Sequence, residues 1–141
     1  MPDLFPLTVY LDSNVLFSAS YIASSSLRNL WRMAQVTPVT SFFAIGEVNR
    51  HIVLPAQQLR FHELIAQTGM VSDADVGFVP QSIQMVEKDR PILAAAIAAS
   101  VDYLITGDKS HFGHLYGTHV SGVHVISPAD FLALHEDRLP K

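Results

Sequence analysis

The stretch DRPILAAAIAASVDYLITGDKSHF, residues 89–112, decides the fold. An acid and Pro91 open it, alanines fill its middle, and an apolar triplet, Tyr103, Leu104 and Ile105, follows. Asp89 can cap a helix, Pro91 suits a first turn whose N–H groups lack partners, and alanine costs least to hold helical. The pattern therefore predicts a helix over 89–100 that feeds a strand over 103–106, with side chains small enough to lie close to a sheet. The strand runs out into Thr106, Gly107, Asp108 and Lys109: a hydroxyl, a flexible glycine, a carboxylate and an ammonium. A loop can carry such residues for solubility alone. The same order also suits the carboxyl end of a parallel strand, where open α/β sheets keep their ligands.

Working outward, LTVYL (7–11) reads as a first strand, bounded by Pro6 and by Asp12-Ser13-Asn14. Residues 25–34 read as a helix burying Leu27, Leu30 and Trp31. VTPVTS (36–41) is rich in β-branched residues, but Pro38 places it near a sheet edge. From Ser41, a candidate cap, Phe42, Ile45, Val48, Asn49 and Ile52 follow at helical spacing, and Glu47 lies among them. Pro55 opens another helix that reaches about Thr68. The segment 69–86 reads as loops around a short strand near 77–79. A strand over 123–126 and a last helix, with Ser127 as cap, Pro128 first and Asp130 in a capping role, complete the chain. This alternation predicts one domain over residues 1–141, a three-layer α/β/α fold with a central, mostly parallel sheet of four to five strands.

Composition narrows the class. Hydrophobic residues make up 49% of the 141, which marks a globular chain rather than a disordered one. The absence of cysteine excludes a disulfide scaffold and thiolate metal sites, and fits a reducing compartment. No basic region precedes an apolar core at the N-terminus, and the longest apolar run, 91–101, is too short to span a bilayer. The expectation is a soluble, cytoplasmic protein without a membrane partner.

Parallel topology places the carboxylates. Asp12 follows the first strand and Asp108 follows the 103–106 strand, so both belong at the carboxyl edge of the sheet. Asp89 opens the helix that feeds that second strand, and in a right-handed crossover such a helix starts on the same edge. Glu47, in the helix after the 36–41 strand, can overhang it. Asp102 precedes its strand and belongs at the opposite end. Asp73 and Asp75 read as loop acids, in a segment whose pattern leaves a fifth ligand open.

Four carboxylates facing one crevice cannot all stay ionised without cations. Hard divalent ions prefer carboxylate oxygen, and magnesium fills the rest of its shell with water and phosphate oxygen. That donor set fits metal-assisted phosphodiester hydrolysis. The formal charge of −4 argues on its face against a nucleic-acid partner. Setting the four site acids aside, however, leaves nine acids against nine Lys and Arg. Lys88, Arg90, Lys109 and His111 flank the expected crevice and are candidates to hold phosphate. RNA remains compatible, with modest affinity and a shallow salt dependence.

The blocks VYLDSNVLFSA, SFFAIGEV and DRPILAAAIAASVDYLITGDKSHF resemble the PIN domain, particularly the bacterial VapC-like toxin ribonucleases. The resemblance covers nearly the whole chain, and its most specific part runs from Asp89 to Asp108. It implies that Asp12, Glu47, Asp89 and Asp108 form an acidic quartet that binds Mg2+ or Mn2+ and is catalytic, and that Asn14 and Thr106 support it by hydrogen bonds. Lys109 and Arg90 are the expected phosphate contacts. The implied activity is a metal-dependent endoribonuclease acting on single-stranded or structured RNA, a hydrolase. The implied setting is a toxin–antitoxin pair, with a cognate antitoxin partner and a homodimer. The alternative is a non-catalytic PIN-fold RNA-binding or assembly module.

Rival chemistries lack their motifs. There is no G-x-x-x-x-G-K-[ST] loop, no G-x-G-x-x-G fingerprint and no G-x-S-x-G elbow. The first strand ends in Asp-Ser-Asn, not the Asp-x-Asp of an aspartyl nucleophile. Seven histidines invite a zinc reading, but no His-x-x-x-His pair with a nearby Glu exists, and His111 and His114 read as loop residues rather than ligands.

Overall fold

The computed structural model describes residues 4–141. Its centre is a six-stranded sheet made of β1 (Leu7–Leu11), β2 (Val36–Thr40), β3 (Gly69–Met70), β4 (Tyr103–Ile105), β5 (His119–Val120) and β6 (Val123–Ile126). The spatial order is β3-β2-β1-β4-β6-β5. Every pair is parallel except the β5–β6 edge. The helices are α1 (Ser13–Tyr21), α2 (Phe42–Asn49), α3 (Pro55–Ile65), α4 (Arg90–Ala98), α5 (Lys109–Phe112) and α6 (Pro128–Leu134).

The chain starts in the middle of the sheet, moves outward through β2 and β3, then returns to β4 on the other side of β1. Right-handed connections that reverse direction put their helices on opposite faces, which gives the three layers. The reversal leaves a crevice at the carboxyl ends of β1 and β4. These two strands are directly paired, with Leu11 beside Ile105, and Asp12 N donates to Ile105 O at 3.1 Å. Val9, Tyr10, Leu11, Leu104 and Ile105 are fully buried, as expected for central strands covered on both faces. Ala94, Ala95 and Ala96 of α4 are fully buried too, so the alanine run is a packing surface as well as a helix former.

Several elements differ from expectation, each for a local reason. The sheet has six strands rather than four or five because β3 and β5 are two residues long, too short to carry an alternating pattern. The segment near 77–79 is a 3-10 helix, Val76–Phe78, capped by Asp75, and the strand of that region is β3. Residues expected as an α-helix over 25–34 form a 3-10 helix, Ser26–Trp31. Helix α1 has no counterpart in the expectation, since Ser, Asn, Val and aromatic residues are weak helix formers. Its start is set instead by Asp12, whose side chain accepts from Ser13 N. Ser41 sits at the N-cap of α2 but makes no capping bond; its hydroxyl lies 2.6 Å from the buried Tyr10 hydroxyl. Ser127 caps α6 through Asp130 N, so Asp130 is the recipient of the cap and not its source. Helix α3 ends at Ile65, where Thr68 folds back to Leu64 O and accepts from the Trp31 indole.

Among the described residues no helix is long and apolar enough to cross a membrane.

Candidate active site

The cleft at the carboxyl ends of β1 and β4 encloses about 470 Å³, and Asp12, Glu47, Asp89 and Asp108 all line it. Each arrives by a different route: the end of β1, the body of α2, the start of α4 and the turn after β4.

Asp12 is the most constrained. It is 4% exposed. Its Oδ1 accepts from Ser13 N at 2.7 Å, and its Oδ2 accepts from the Thr106 hydroxyl at 2.8 Å and from Asn14 Nδ2 at 3.1 Å. Burial pushes its carboxyl up from 3.8 to about 6; the Thr106 and Ser13 bonds oppose that rise, and Glu47 and Asp89 add to it. Glu47 is half-buried and is also raised, first by burial and then by Asp89, with Ser13 opposing.

The Thr-Gly-Asp turn now has a physical account. Thr106 is fully buried, and its Oγ1 both donates to Asp12 and accepts from Asp108 N at 3.2 Å. Gly107 N donates to Asn14 Oδ1 at 2.7 Å, and a Cβ on Gly107 would stand 3.1 Å from that oxygen. The glycine thus allows the β4 turn to close onto α1, and Asn14 bridges the two strand ends. Tyr116 locks the same turn by donating to Thr106 O at 2.6 Å. Asp108 caps α5: its Oδ1 accepts from His111 N at 3.2 Å and from Ser110 Oγ at 2.9 Å, which leaves Oδ2 facing the cleft.

Thr106→Val deletes one donor to Asp12 and the acceptor of Asp108 N while keeping the shape. Unfolding in urea should show a loss of about 1–3 kcal/mol. A loss below about 0.5 kcal/mol, the range of ordinary surface substitutions, would mean that the hydroxyl holds nothing in place.

Asp89 departs from its expected second role. It occupies the N-cap position of α4, but its side chain makes no capping bond. Its Oδ2 lies 2.8 Å from His111 Nδ1, which is 2.9 Å from Asp108 Oδ2. The Asp89 carboxyl is raised by burial, lowered by the His111 ring and raised again by Asp108.

The expected phosphate contacts are distributed unevenly. Lys88 and His111 line the cleft. Arg90 turns aside: Nε bonds Glu87 at 3.0 Å and Nη2 donates to Ile83 O at 2.9 Å. Lys109 is not among the cleft-lining side chains and runs along Gly113 instead. Ser13, Phe17, Ser18, Val48 and His51 also line the cleft, and the sequence pattern names none of them as a site residue. A signal for Ser13 existed, since it follows Asp12 directly. His51 lies just beyond α2, where helical spacing from Glu47 places it one turn further along the same face.

The remaining acids fall outside. Asp73 accepts from Phe43 N at 3.3 Å and Asp75 caps its 3-10 helix, which leaves neither in the cleft lining. Asp102 accepts from Thr8 N at 2.8 Å, at the amino end of β4 as expected. Among the described residues, one group of His and acidic side chains has donor atoms within 4.8 Å of one another: Asp89, Asp108 and His111.

The donor set suits a divalent cation. Burial raises three of the four carboxyl groups, so their joint ionisation needs a compensating charge. Asp89 Oδ2 and His111 Nδ1 are shielded from solvent without a hydrogen-bond partner, a state that a bound ion would relieve.

The fold is a PIN-like α/β fold. Its likeness to a solved structure bears this out: a chain in the crystal structure of VapBC2 from Rickettsia felis bound to a DNA fragment from their promoter superposes with a TM-score of 0.62, over 86% of this chain and 98% of that one. Sequence identity is 15%, so the likeness is one of fold. No protein-family model matches the chain, and no curated protein sequence matches it.

Proposed function

We propose that the chain is a metal-dependent endoribonuclease that hydrolyses RNA phosphodiester bonds. The observation that carries this reading is the meeting of Asp12, Glu47, Asp89 and Asp108 around one cleft, with Asp89 Oδ2 shielded from solvent and making no well-formed hydrogen bond. Asp89 and Asp108 would hold the ion, with Asp12 and Glu47 completing the set directly or through water. When bound, a Mg2+ or Mn2+ ion supplies Lewis acidity that eases deprotonation of water and offsets charge on the phosphate.

The chain's own groups do the rest. Thr106 and Asn14 fix the Asp12 carboxylate, and the Asp108 cap fixes its neighbour, so little reorganisation is needed at the moment of reaction. Lys88 and His51 both line the cleft, and Lys88 is the cation available to neutralise a phosphate oxygen. Lys109 would reach phosphate only by swinging back from Gly113, and Arg90 only by leaving Glu87. A single lining lysine keeps the affinity for RNA modest. In-line attack by water expels the 3′-oxygen and leaves a 5′-phosphate and a 3′-hydroxyl.

The likeness to VapBC2 supports extending the reading to a toxin with a cognate antitoxin; the homodimer rests on the sequence resemblance alone. The chemistry is tested with purified protein, Mn2+ and a structured RNA, beside the Asp12→Asn variant and an EDTA control. Cleavage by the wild type alone supports the enzyme. Equal behaviour of both proteins sinks it and favours a binding or assembly module.

A further inference from the structure

His111 follows Asp108 by three residues on α5, so its ring and that carboxylate share a helix face. Its Nδ1 stands 2.8 Å from Asp89 Oδ2 and 2.9 Å from Asp108 Oδ2. Nδ1 is thus within ion-pair reach of both carboxylates, yet Nδ1 and Asp89 Oδ2 are shielded from solvent and neither makes a well-formed hydrogen bond. Asp89 is 8% exposed, so water does not make up the loss. One ring nitrogen offers either a single N–H or a single lone pair in the ring plane, and cannot serve two carboxylates at once.

A cation among the three atoms satisfies all of them. The three donor atoms all lie within 4.8 Å of one another, close enough for one divalent ion to be held by all of them. Asp108 Oδ1 is tied to Ser110 and to His111 N, so Oδ2 and Nδ1 are presented together by one short, capped helix.

The geometry points to His111 Nδ1 as a nitrogen ligand that joins Asp89 and Asp108 and makes the cleft select Mn2+ over Mg2+. Magnesium is hard, binds nitrogen poorly and keeps its waters, whereas manganese, though the weakest binder of the first-row series, accepts a nitrogen donor beside carboxylates. An all-carboxylate site lacks that discrimination. The inference rests on the reading of the cleft as a divalent-ion site and adds which ion class it prefers.

The test is calorimetric titration of EDTA-stripped protein with MnCl2 and, separately, MgCl2. Wild type should bind Mn2+ more tightly than Mg2+ by about tenfold or more. His111→Ala should weaken Mn2+ binding by about tenfold or more, the scale known for lesser, outer-shell partners, and leave Mg2+ within about threefold. The electron spin echo of bound Mn2+ should carry 14N modulation in the wild type and in His51→Ala, and lose it in His111→Ala. An unchanged Mn2+/Mg2+ ratio in His111→Ala overturns the inference. So does wild-type protein with no 14N modulation, a result that needs no variant to fold. RNA cleavage with an unaltered ion ratio removes His111 alone. Intact ion selectivity without cleavage removes the nuclease reading alone, and no ion binding by the wild type removes both.

Discussion

Asp12→Asn should raise the unfolding midpoint of the metal-free protein at neutral pH while severely lowering RNA cleavage. Its folded carboxyl lies near 6, above its ordinary 3.8, chiefly because it is buried. Between those values the folded state holds a proton that the unfolded chain releases. The stabilisation from Asp12 is complete below about 3.8 and is lost as pH rises through about 6. Above that, keeping the carboxylate ionised in the cleft costs on the order of 1–3 kcal/mol, the upper figure reflecting about two pKa units and the lower allowing for relaxation. Asparagine removes the charge and keeps the Oδ1 acceptor for Ser13 N. The Thr106 hydroxyl must then turn from donor to acceptor and the Asn14 amide loses its acceptor, which takes back part of the gain. Thermal unfolding in EDTA from pH 4.5 to 7.5 reads this directly. The wild-type contribution from Asp12 declines across that window, and the variant's curve is flatter and higher at its alkaline end. A variant midpoint at or below wild type at pH 7.5 would contradict the burial argument. Mn2+ should stabilise the wild type most where Asp12 is ionised, and the gain should shrink as pH falls below about 6. Cleavage should fall by about 10²-fold or more, as removal of a preorganised charge from a reaction site commonly does.

Phe112→Ala should cost about 3–5 kcal/mol and depress cleavage beyond what unfolding explains. Phe112 is fully buried at the end of α5, and its N–H donates to Asp108 O at 2.8 Å. A four-residue helix has no stability of its own, so its position comes from this buried ring and from the Asp108 cap. Asp108 and His111 both ride on it. Loss of the ring therefore loosens two site residues as well as the core. Phe131→Ala is the matched control. That ring is also fully buried, but it packs edge-on against Tyr103 at the amino end of β4, away from the cleft. Both variants should lose comparable stability by urea unfolding. Measured at a temperature where both stay folded, kcat/KM should drop in Phe112→Ala and hold in Phe131→Ala. Equal kcat/KM in the two would show that the core ring does not position the site.

Sequence by itself determined the scaffold's logic. LTVYL, the Pro91-led alanine run and the Tyr103-Leu104-Ile105 triplet announce a parallel α/β sheet, because burial on both faces demands unbroken apolar strands and close-packed helices. Once that topology is granted, Asp12 and Asp108 must fall at one edge, and both line the cleft that the paired ends of β1 and β4, Leu11 beside Ile105, bring together. Caps and two-residue strands were less legible. Asp12 starts a helix of weak formers that no periodicity announces, and β3 and β5 exist only because longer neighbours offer them an edge.

Tertiary structure alone decided which polar groups are free. Asp89 and Ser41 both look like caps, yet one carboxylate turns to His111 and the other residue's hydroxyl turns to Tyr10. Arg90 looks like a phosphate contact, yet Glu87 and Ile83 O hold it elsewhere. His111 reads as a loop residue, yet it stands between two acids that come from different elements. A cap or a helix start is encoded within four or five residues. The partner of a buried side chain depends on where another element, dozens of residues away, has been delivered by the crossing of the chain.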